Sequence, residues 1–144
     1  MMKHYVTLAL GLFLVFGSYA QEGTVFRKWK TIDEETEEPK AVVDIYERDG
    51  KLYGKIIQLF REPHEEQDPI CKKCSGEDAG KKVIGLEIIK ALEPDDDAWE
   101  DGTILDAEHG KTYDCKLWLE DGILKVRGYV AFFYRTQEWL PYDG

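Results

Sequence analysis

Hydrophobic and polar residues alternate along the segment from Thr112 to Trp139. Such alternation places apolar side chains on one face of a strand and polar side chains on the other. Asp121-Gly122 divides the segment, and this dipeptide readily adopts the positive φ angles of a tight hairpin turn. The predicted apolar face consists of Tyr113, Cys115, Leu117 and Leu119 before the turn, and of Leu124, Val126, Val130 and Phe132 after it. The pattern therefore predicts an antiparallel hairpin that is buried on one side.

The same pattern occurs from Ala41 to Phe60, where Asp49-Gly50 marks the turn. Residues 22–32, 83–92 and 99–105 predict further strands, although 83–92 is also compatible with a short helix. The acidic segments 34–39 and 93–97 predict solvated turns. Turn signals recur about every 8–12 residues over much of the chain, which is typical of a small barrel or sandwich. We therefore expect an all-β protein of about eight antiparallel strands.

Arg61 to Gly80 is the one long segment without a strand pattern. It contains two prolines, two glycines, and the cysteines Cys71 and Cys74. A loop of this length in a compact domain is usually functional, disordered, or held by a cross-link.

The N-terminus has the pattern of a secretory signal peptide. A lysine is followed by a short apolar run and by small residues that end at Ala20. The run is too short to span a membrane as a helix. We expect cleavage after Ala20, which divides the chain into a signal peptide (1–20) and one domain (21–144). The mature protein would then be periplasmic or secreted.

The formal net charge of −10 limits the partners that the chain can have. Nucleic acids and anionic lipid surfaces bind through clusters of basic residues, and the sequence has no such cluster. Most of the acidic residues lie in predicted turns, where they keep an exported protein soluble. Neither nucleic-acid binding nor a membrane-spanning segment is expected.

Several short motifs occur in an order that points to a known family. They are Trp29-Lys-Thr31, Cys71-Lys-Lys-Cys74, the segment 83–89, Gly102-Thr-Ile-Leu-Asp106, Gly110-Lys-Thr-Tyr113, the segment 124–129, and Arg135-Thr-Gln-Glu-Trp139. With these motifs the chain resembles, from Trp29 to Trp139, the secreted bacterial family called domain of unknown function 2147. The resemblance implies a small lipocalin-like (calycin) β-barrel, and it brings no established activity or catalytic residues. Such barrels often have Gly two positions before the first Trp, where this chain has Arg27.

The resemblance also suggests roles for residues near the two ends of the domain. In calycin barrels a late Arg covers the Trp of the first strand, so Arg135 is expected to lie on Trp29 through a cation–π contact. Alternation places Arg135, Gln137 and Trp139 on one face of a strand. The alternative is a binding role, in which these residues and Trp29 hold a ligand and Arg135 grips its carboxylate.

In an exported protein, Cys71 and Cys74 are expected to form a disulfide bond. A zinc site would need two further ligands, for which only His64, Asp68 and His109 are available, without a recognisable spacing. No metal ion or other cofactor is therefore expected. Cys115 lies on the apolar face of its strand and is expected to be a buried thiol.

No motif points to catalysis. Asp95–Asp101 does not match the spacing of a calcium-binding loop, because Trp99 stands where a ligand belongs. Nucleophile-elbow, phosphate-loop and zinc-protease motifs are absent from the sequence. Binding is therefore favoured over enzymatic activity.

Three functions are compatible with the sequence. The first is binding of a small apolar or amphipathic ligand inside the barrel. The second is contact with an envelope protein through residues 61–80 and exposed Trp118 and Tyr129, with a solid barrel. The third is a redox or metal role for Cys71 and Cys74. The predicted interior lining is Val43, Ile45, Leu117, Leu119, Leu124 and Val126.

Overall fold

A computed structural model describes Gly11 and residues 23–144. Apart from Gly11, the predicted signal peptide lies outside the described residues. None of the described helices is long and apolar enough to cross a membrane. The strands are β1 (Lys28–Ile32), β2 (Pro39–Arg48), β3 (Lys51–Leu59), β4 (Glu87–Asp95), β5 (Ala98–Asp106), β6 (Lys111–Glu120), β7 (Ile123–Val130) and β8 (Phe133–Pro141), and a 3-10 helix covers Gly76–Asp78.

The eight strands form a closed antiparallel barrel in which each strand pairs with its neighbours in sequence and β1 pairs with β8. This confirms the predicted all-β barrel. Because the strands run up and down, the connections gather at two ends. The turn end carries residues 23–27 and the tight turns at 49–50, 96–97 and 121–122. The loop end carries the connections 33–38, 60–86, 107–110 and 131–132.

Both predicted Asp-Gly turns are confirmed. Asp49 and Gly50 have φ angles of 54° and 77°, and Asp121 and Gly122 have φ angles of 52° and 77°. Positive φ at both central residues is the geometry that matches the right-handed twist of paired strands. These turns therefore fix the register of β2 with β3 and of β6 with β7.

The interior of the barrel is filled with apolar side chains. Trp29, Leu52 and Ile89 are buried there, in addition to the predicted lining, of which Leu119 is only partly buried. A Cβ atom added at Gly54 would lie 3.2 Å from side-chain atoms of both Val43 and Ile89, so the interior is tightly packed at this level. No polar or charged residue in the described part of the chain is buried. The middle of the barrel is thus an apolar core.

Two predicted boundaries are wrong. β4 begins at Glu87 and continues through Pro94, which pairs with Trp99, so the turn contains only Asp96 and Asp97. Val130 and Phe132 do not lie on a buried face, because they are 51% and 98% exposed. β7 ends at Val130, and Phe132 belongs to the turn before β8.

The second half of the long β3–β4 connection folds over the loop end. We call residues 69–86 the cap. Its two branches are joined by backbone hydrogen bonds from Cys71 to Lys81 (2.7 Å) and from Val83 to Pro69 (2.9 Å). Cys71 and Cys74 form the predicted disulfide, with their Cα atoms 5.4 Å apart. Cys71 and Leu86 are buried in the barrel core, so the cap closes this end.

The turn end is closed by the segment before β1. The Trp29 indole donates a hydrogen bond to the Val25 carbonyl (2.8 Å), and Phe26 packs edge-on against Trp99 with ring centroids 5.5 Å apart. The cation over the Trp29 ring is Arg27, 5.6 Å from the centroid. These contacts hold residues 25–29 over this end of the barrel.

The predicted contact between Arg135 and Trp29 is wrong. Trp29 pairs with Pro141 at the far end of β8, whereas Arg135 lies near the start of that strand. At about 3.3 Å per residue the two side chains are roughly 20 Å apart. Arg135 instead forms an ion pair with Glu34 in the β1–β2 loop.

Candidate functional site

The barrel closes between β1 and β8 through only a short stretch of pairing. These strands pair only at Trp29 with Pro141 and at Lys30 with Leu140. Towards the loop end, β1 gives way to the β1–β2 loop while β8 continues back to Phe133. A cleft of about 400 Å³ opens where the strands separate. This seam cleft is lined by Ile32, Asp33, Glu34, Glu37, Thr136, Gln137, Glu138 and Leu140.

The three residues predicted to bind a ligand from β8 all lie along this seam. Trp139 is buried, and its indole donates a hydrogen bond to the Gln137 side-chain oxygen (3.1 Å). Gln137 lines the cleft, while Arg135 is exposed at the rim and paired with Glu34. Trp29, the fourth candidate, is buried at the turn end and does not belong to the cleft.

The walls of the seam cleft are acidic. Asp33 accepts hydrogen bonds from the backbone N–H groups of Thr36 (3.0 Å) and Glu35 (2.9 Å), which lower the pKa of its carboxyl group. Glu138 forms an ion pair with Lys125 on β7. Glu37 lines the cleft next to two apolar side chains, Ile32 and Leu140. The site can therefore contact both an apolar body and a positive charge.

A second cleft, of about 450 Å³, lies at the turn end and is lined by Thr24, Arg27, Lys28, Tyr142, Asp143 and Gly144. Arg27 crosses it to pair with Asp143 (2.6 Å) while it also covers Trp29. The Arg27 side chain therefore helps to close this end of the barrel, because it covers Trp29 and pairs with Asp143.

The third cysteine, Cys115, and the residues considered as zinc ligands line neither of the two clefts. Burial raises the pKa of the Cys115 thiol to about 12, in agreement with the expected buried thiol. His64 is exposed and Asp68 pairs with Lys82. His109 instead lies with Asp106 and Glu108 in one turn, where its ring bonds Asp106 (2.8 Å).

An exposed apolar surface lies at the β7–β8 turn. Phe132, Phe133 and Tyr134 are 98%, 78% and 62% exposed. Behind them on the outer face, the Arg127 guanidinium lies between the rings of Trp118 (4.9 Å) and Tyr134 (4.1 Å). Trp118 is therefore partly covered by its neighbours, whereas the sequence predicted that it is exposed.

The family of the chain follows from its sequence. Residues 28–140 match the model of a family described as "Uncharacterized protein conserved in bacteria" (DUF2147). The chain belongs to the DUF2147 family. The match begins at the first residue of β1 and ends one residue before the end of β8, so the fold of this DUF2147 protein is carried by the part of the chain that the family shares.

A solved structure supports the fold of this DUF2147 protein. Protein HP1028 from the human pathogen Helicobacter pylori, described as belonging to the lipocalin family, superposes with a TM-score of 0.69. The two chains are 14% identical, and the match covers 83% of this chain and 84% of that one. At this identity the likeness concerns the fold alone, which is a lipocalin-like barrel. No functionally curated protein matches the sequence.

Proposed function

We propose that this DUF2147 protein is a non-enzymatic binding barrel that holds a small amphipathic ligand in the seam cleft. The observation that carries the proposal is the early separation of β1 from β8, which opens a cleft of about 400 Å³ in an otherwise closed wall. Pockets of this volume suit small ligands. The lipocalin-like fold is consistent with this role.

The position of the ligand differs from that first expected from the sequence. The predicted interior site is occupied by the side chains of Trp29, Ile45, Leu52 and Leu117. The cleft instead offers Ile32 and Leu140 to an apolar body, and acidic side chains to a positive charge. We therefore expect a ligand with a short apolar chain and a cationic group, since charge complementarity governs which head group is accepted.

The same proposal includes export and cleavage after Ala20. A disulfide in a small domain is consistent with an oxidising compartment. Mass measurement of the protein recovered from the periplasm or medium should give a chain that begins at Gln21. A chain that keeps residues 1–20 in the cytoplasm would contradict export.

Binding is tested with three ten-carbon probes that differ in head group: decylamine, decanol and decanoate. Native mass spectrometry and calorimetry should show a one-to-one complex with decylamine, weaker binding of decanol, and the weakest binding of decanoate. Equal binding of all three would contradict the acidic site, and no binding of any probe would contradict the proposed function.

The charge reversal Glu37→Lys should weaken decylamine binding about tenfold, because it places a cation in the wall of the cleft. Glu35→Lys is the matched control, since Glu35 is an exposed acid of the same loop that does not line the cleft. Calorimetry on the two variants compares their affinities. An equal loss in both variants would indicate a general charge effect and not a contact in the cleft.

The second candidate function is an envelope interaction module, and the exposed apolar residues Phe132 and Phe133 favour it. A photo-crosslinking residue at position 132 should capture a defined envelope protein in living cells if this function holds. Capture of nothing above the background of an exposed control position, such as 47, would count against it.

The third candidate, a redox or metal role for Cys71 and Cys74, has less support because both sulfurs are buried in the barrel core. Thiol titration and metal analysis of the purified protein test it. One titratable thiol in the unfolded chain and no bound metal would remove this candidate.

A further inference from the structure

The geometry points to a short extended peptide as the ligand of the seam cleft, held by addition of a strand to the open edge of β8. This inference rests on the proposed function and specifies the class of ligand. In strand addition, main-chain hydrogen bonds supply affinity, and alternate side chains supply specificity.

The main chain of β8 provides the docking edge. On one side, β7 pairs with β8 along its length, from Val130 with Phe133 to Leu124 with Trp139. On the other side, β1 pairs only with Leu140 and Pro141. Within residues 23–144, no other backbone hydrogen bond reaches the stretch Phe133–Trp139 from the β1 side. Every second residue of this stretch therefore presents an N–H and a C=O group on the side of β1.

The β1–β2 loop does not pair with this edge, and several of its backbone N–H groups are bonded within the loop. The N–H of Asp33 donates to the Glu38 carbonyl (2.8 Å), and the N–H of Glu37 donates to the Asp33 carbonyl (2.8 Å). Thr31 is also engaged, since its hydroxyl accepts the N–H of Ala41 (3.1 Å). The pairing of β1 with β2 is irregular between Thr31 and Ile32. The chain thus turns away from β8 at this point and leaves the edge open.

The backbone donors and acceptors of this edge determine which class of ligand can bind there. An unpaired strand edge is a template for another extended chain, because only a peptide backbone repeats donors and acceptors at the matching spacing. The open stretch spans roughly 20 Å, which accommodates about six extended residues. The walls combine Ile32 and Leu140 with the acids Glu37 and Glu138, of which Glu138 is paired with Lys125. The fitting peptide therefore carries both apolar and basic side chains.

The test uses the purified protein with its disulfide formed and the blocked hexapeptide acetyl-Lys-Val-Lys-Val-Lys-Val-amide. Two twins of the peptide carry backbone N-methyl groups, one on the Lys residues and the other on the Val residues. Successive N–H groups of a strand point to opposite edges. Strand addition therefore predicts that one twin loses at least about tenfold in affinity by calorimetry while the other binds nearly as the parent does.

The outcomes separate the two proposals. Equal affinity of the parent and both twins, or binding of decylamine without binding of the peptide, would overturn strand addition and leave the proposed function standing. Binding of neither peptide nor amine would overturn both. A blocked Glu-Val hexapeptide should bind at least about tenfold more weakly than the Lys-Val parent, and equal binding would overturn the basic specificity.

Discussion

Gly102 shows how tightly the backbones of neighbouring strands approach each other in this barrel. A Cβ atom there would lie 2.3 Å from the Lys90 carbonyl oxygen and 2.7 Å from the Leu92 nitrogen. We predict that Gly102→Ala lowers the free energy of unfolding by about 3 kcal/mol, because backbone atoms cannot move aside cheaply. Gly128→Ala is the matched control: its nearest contact, Tyr113, would lie at an ordinary 3.6 Å. Urea unfolding of both variants checks this, and equal losses would contradict it.

The reactivity of the Cys115 thiol is a chemical test of whether the barrel core is buried. Burial raises the pKa of its thiol from 9.0 to about 12, so at pH 8 the folded protein contains almost no thiolate. We predict that an alkylating reagent modifies no thiol in the folded protein at pH 8 and one thiol after unfolding. Rapid modification of the folded protein would contradict the buried position.

The raised pKa of Cys115 also makes the stability of the fold depend on pH. Between pH 9 and about 12 the unfolded chain loses the Cys115 proton and the folded chain keeps it, so this contribution to stability is present below pH 9 and is lost as the pH rises towards 12. A Cys115→Ala variant should lack this contribution to the pH dependence. Thermal unfolding between pH 8 and 11 measures the difference.

At the scale of single residues, the sequence predicted the polarity of positions better than their partners. Cys71 and Cys74 form the expected disulfide, and Cys115 is the expected buried thiol because alternation places it on the apolar face of β6. The partner of Trp29 was missed, because a cation two residues earlier is already close to the ring when the chain closes the barrel end. In the sequence, Arg27 stands out only as a departure from the family pattern.

An ion pair between Asp78 and Lys90 connects the cap to the barrel wall. Asp78 accepts a hydrogen bond from Lys90 on β4 at 2.9 Å, and this bond lowers the pKa of the Asp78 carboxyl group. We predict that Asp78→Ala lowers the free energy of unfolding by about 1–2 kcal/mol at pH 7. Asp68→Ala, which removes the exposed pair with Lys82, should cost about 0.5 kcal/mol or less. Chemical unfolding of both variants compares them.

The lowered pKa of Asp78 determines how the stability contributed by its ion pair with Lys90 depends on pH. A lowered pKa contributes stability above the ordinary value of 3.8, and this contribution is lost as the pH falls through the lower folded value. The difference between the protein and Asp78→Ala should therefore shrink below about pH 4. A difference that stays constant from pH 7 to pH 3 would contradict the role of the ionised pair.

At the scale of elements, the sequence predicted strands more reliably than their ends. The Asp-Gly turns were found because their backbone geometry restricts the residue types. The end of β7 was missed, because alternation continues through Val130 and Phe132 although the barrel core does not extend so far. The point at which a strand leaves the core depends on its neighbours in space.

The whole molecule combines a filled barrel with one break in its wall. The closed architecture could be predicted because alternation, turn spacing and the family motifs all agreed. The seam cleft could not, since it depends on how far β1 and β8 stay paired across a separation of more than a hundred residues. The only sequence signal was indirect: acidic residues and Pro39 cut β1 short, whereas β8 continues without such a break.

Residue-resolved amide hydrogen exchange of the free protein tests the open seam most directly. Along Arg135–Trp139, slowly exchanging amides bonded to β7 should alternate with rapidly exchanging amides that face the cleft. β6 is the control, because it is paired on both sides and should be protected at successive residues. Protection at every residue of Arg135–Trp139 would show that the wall is closed there and would contradict the account.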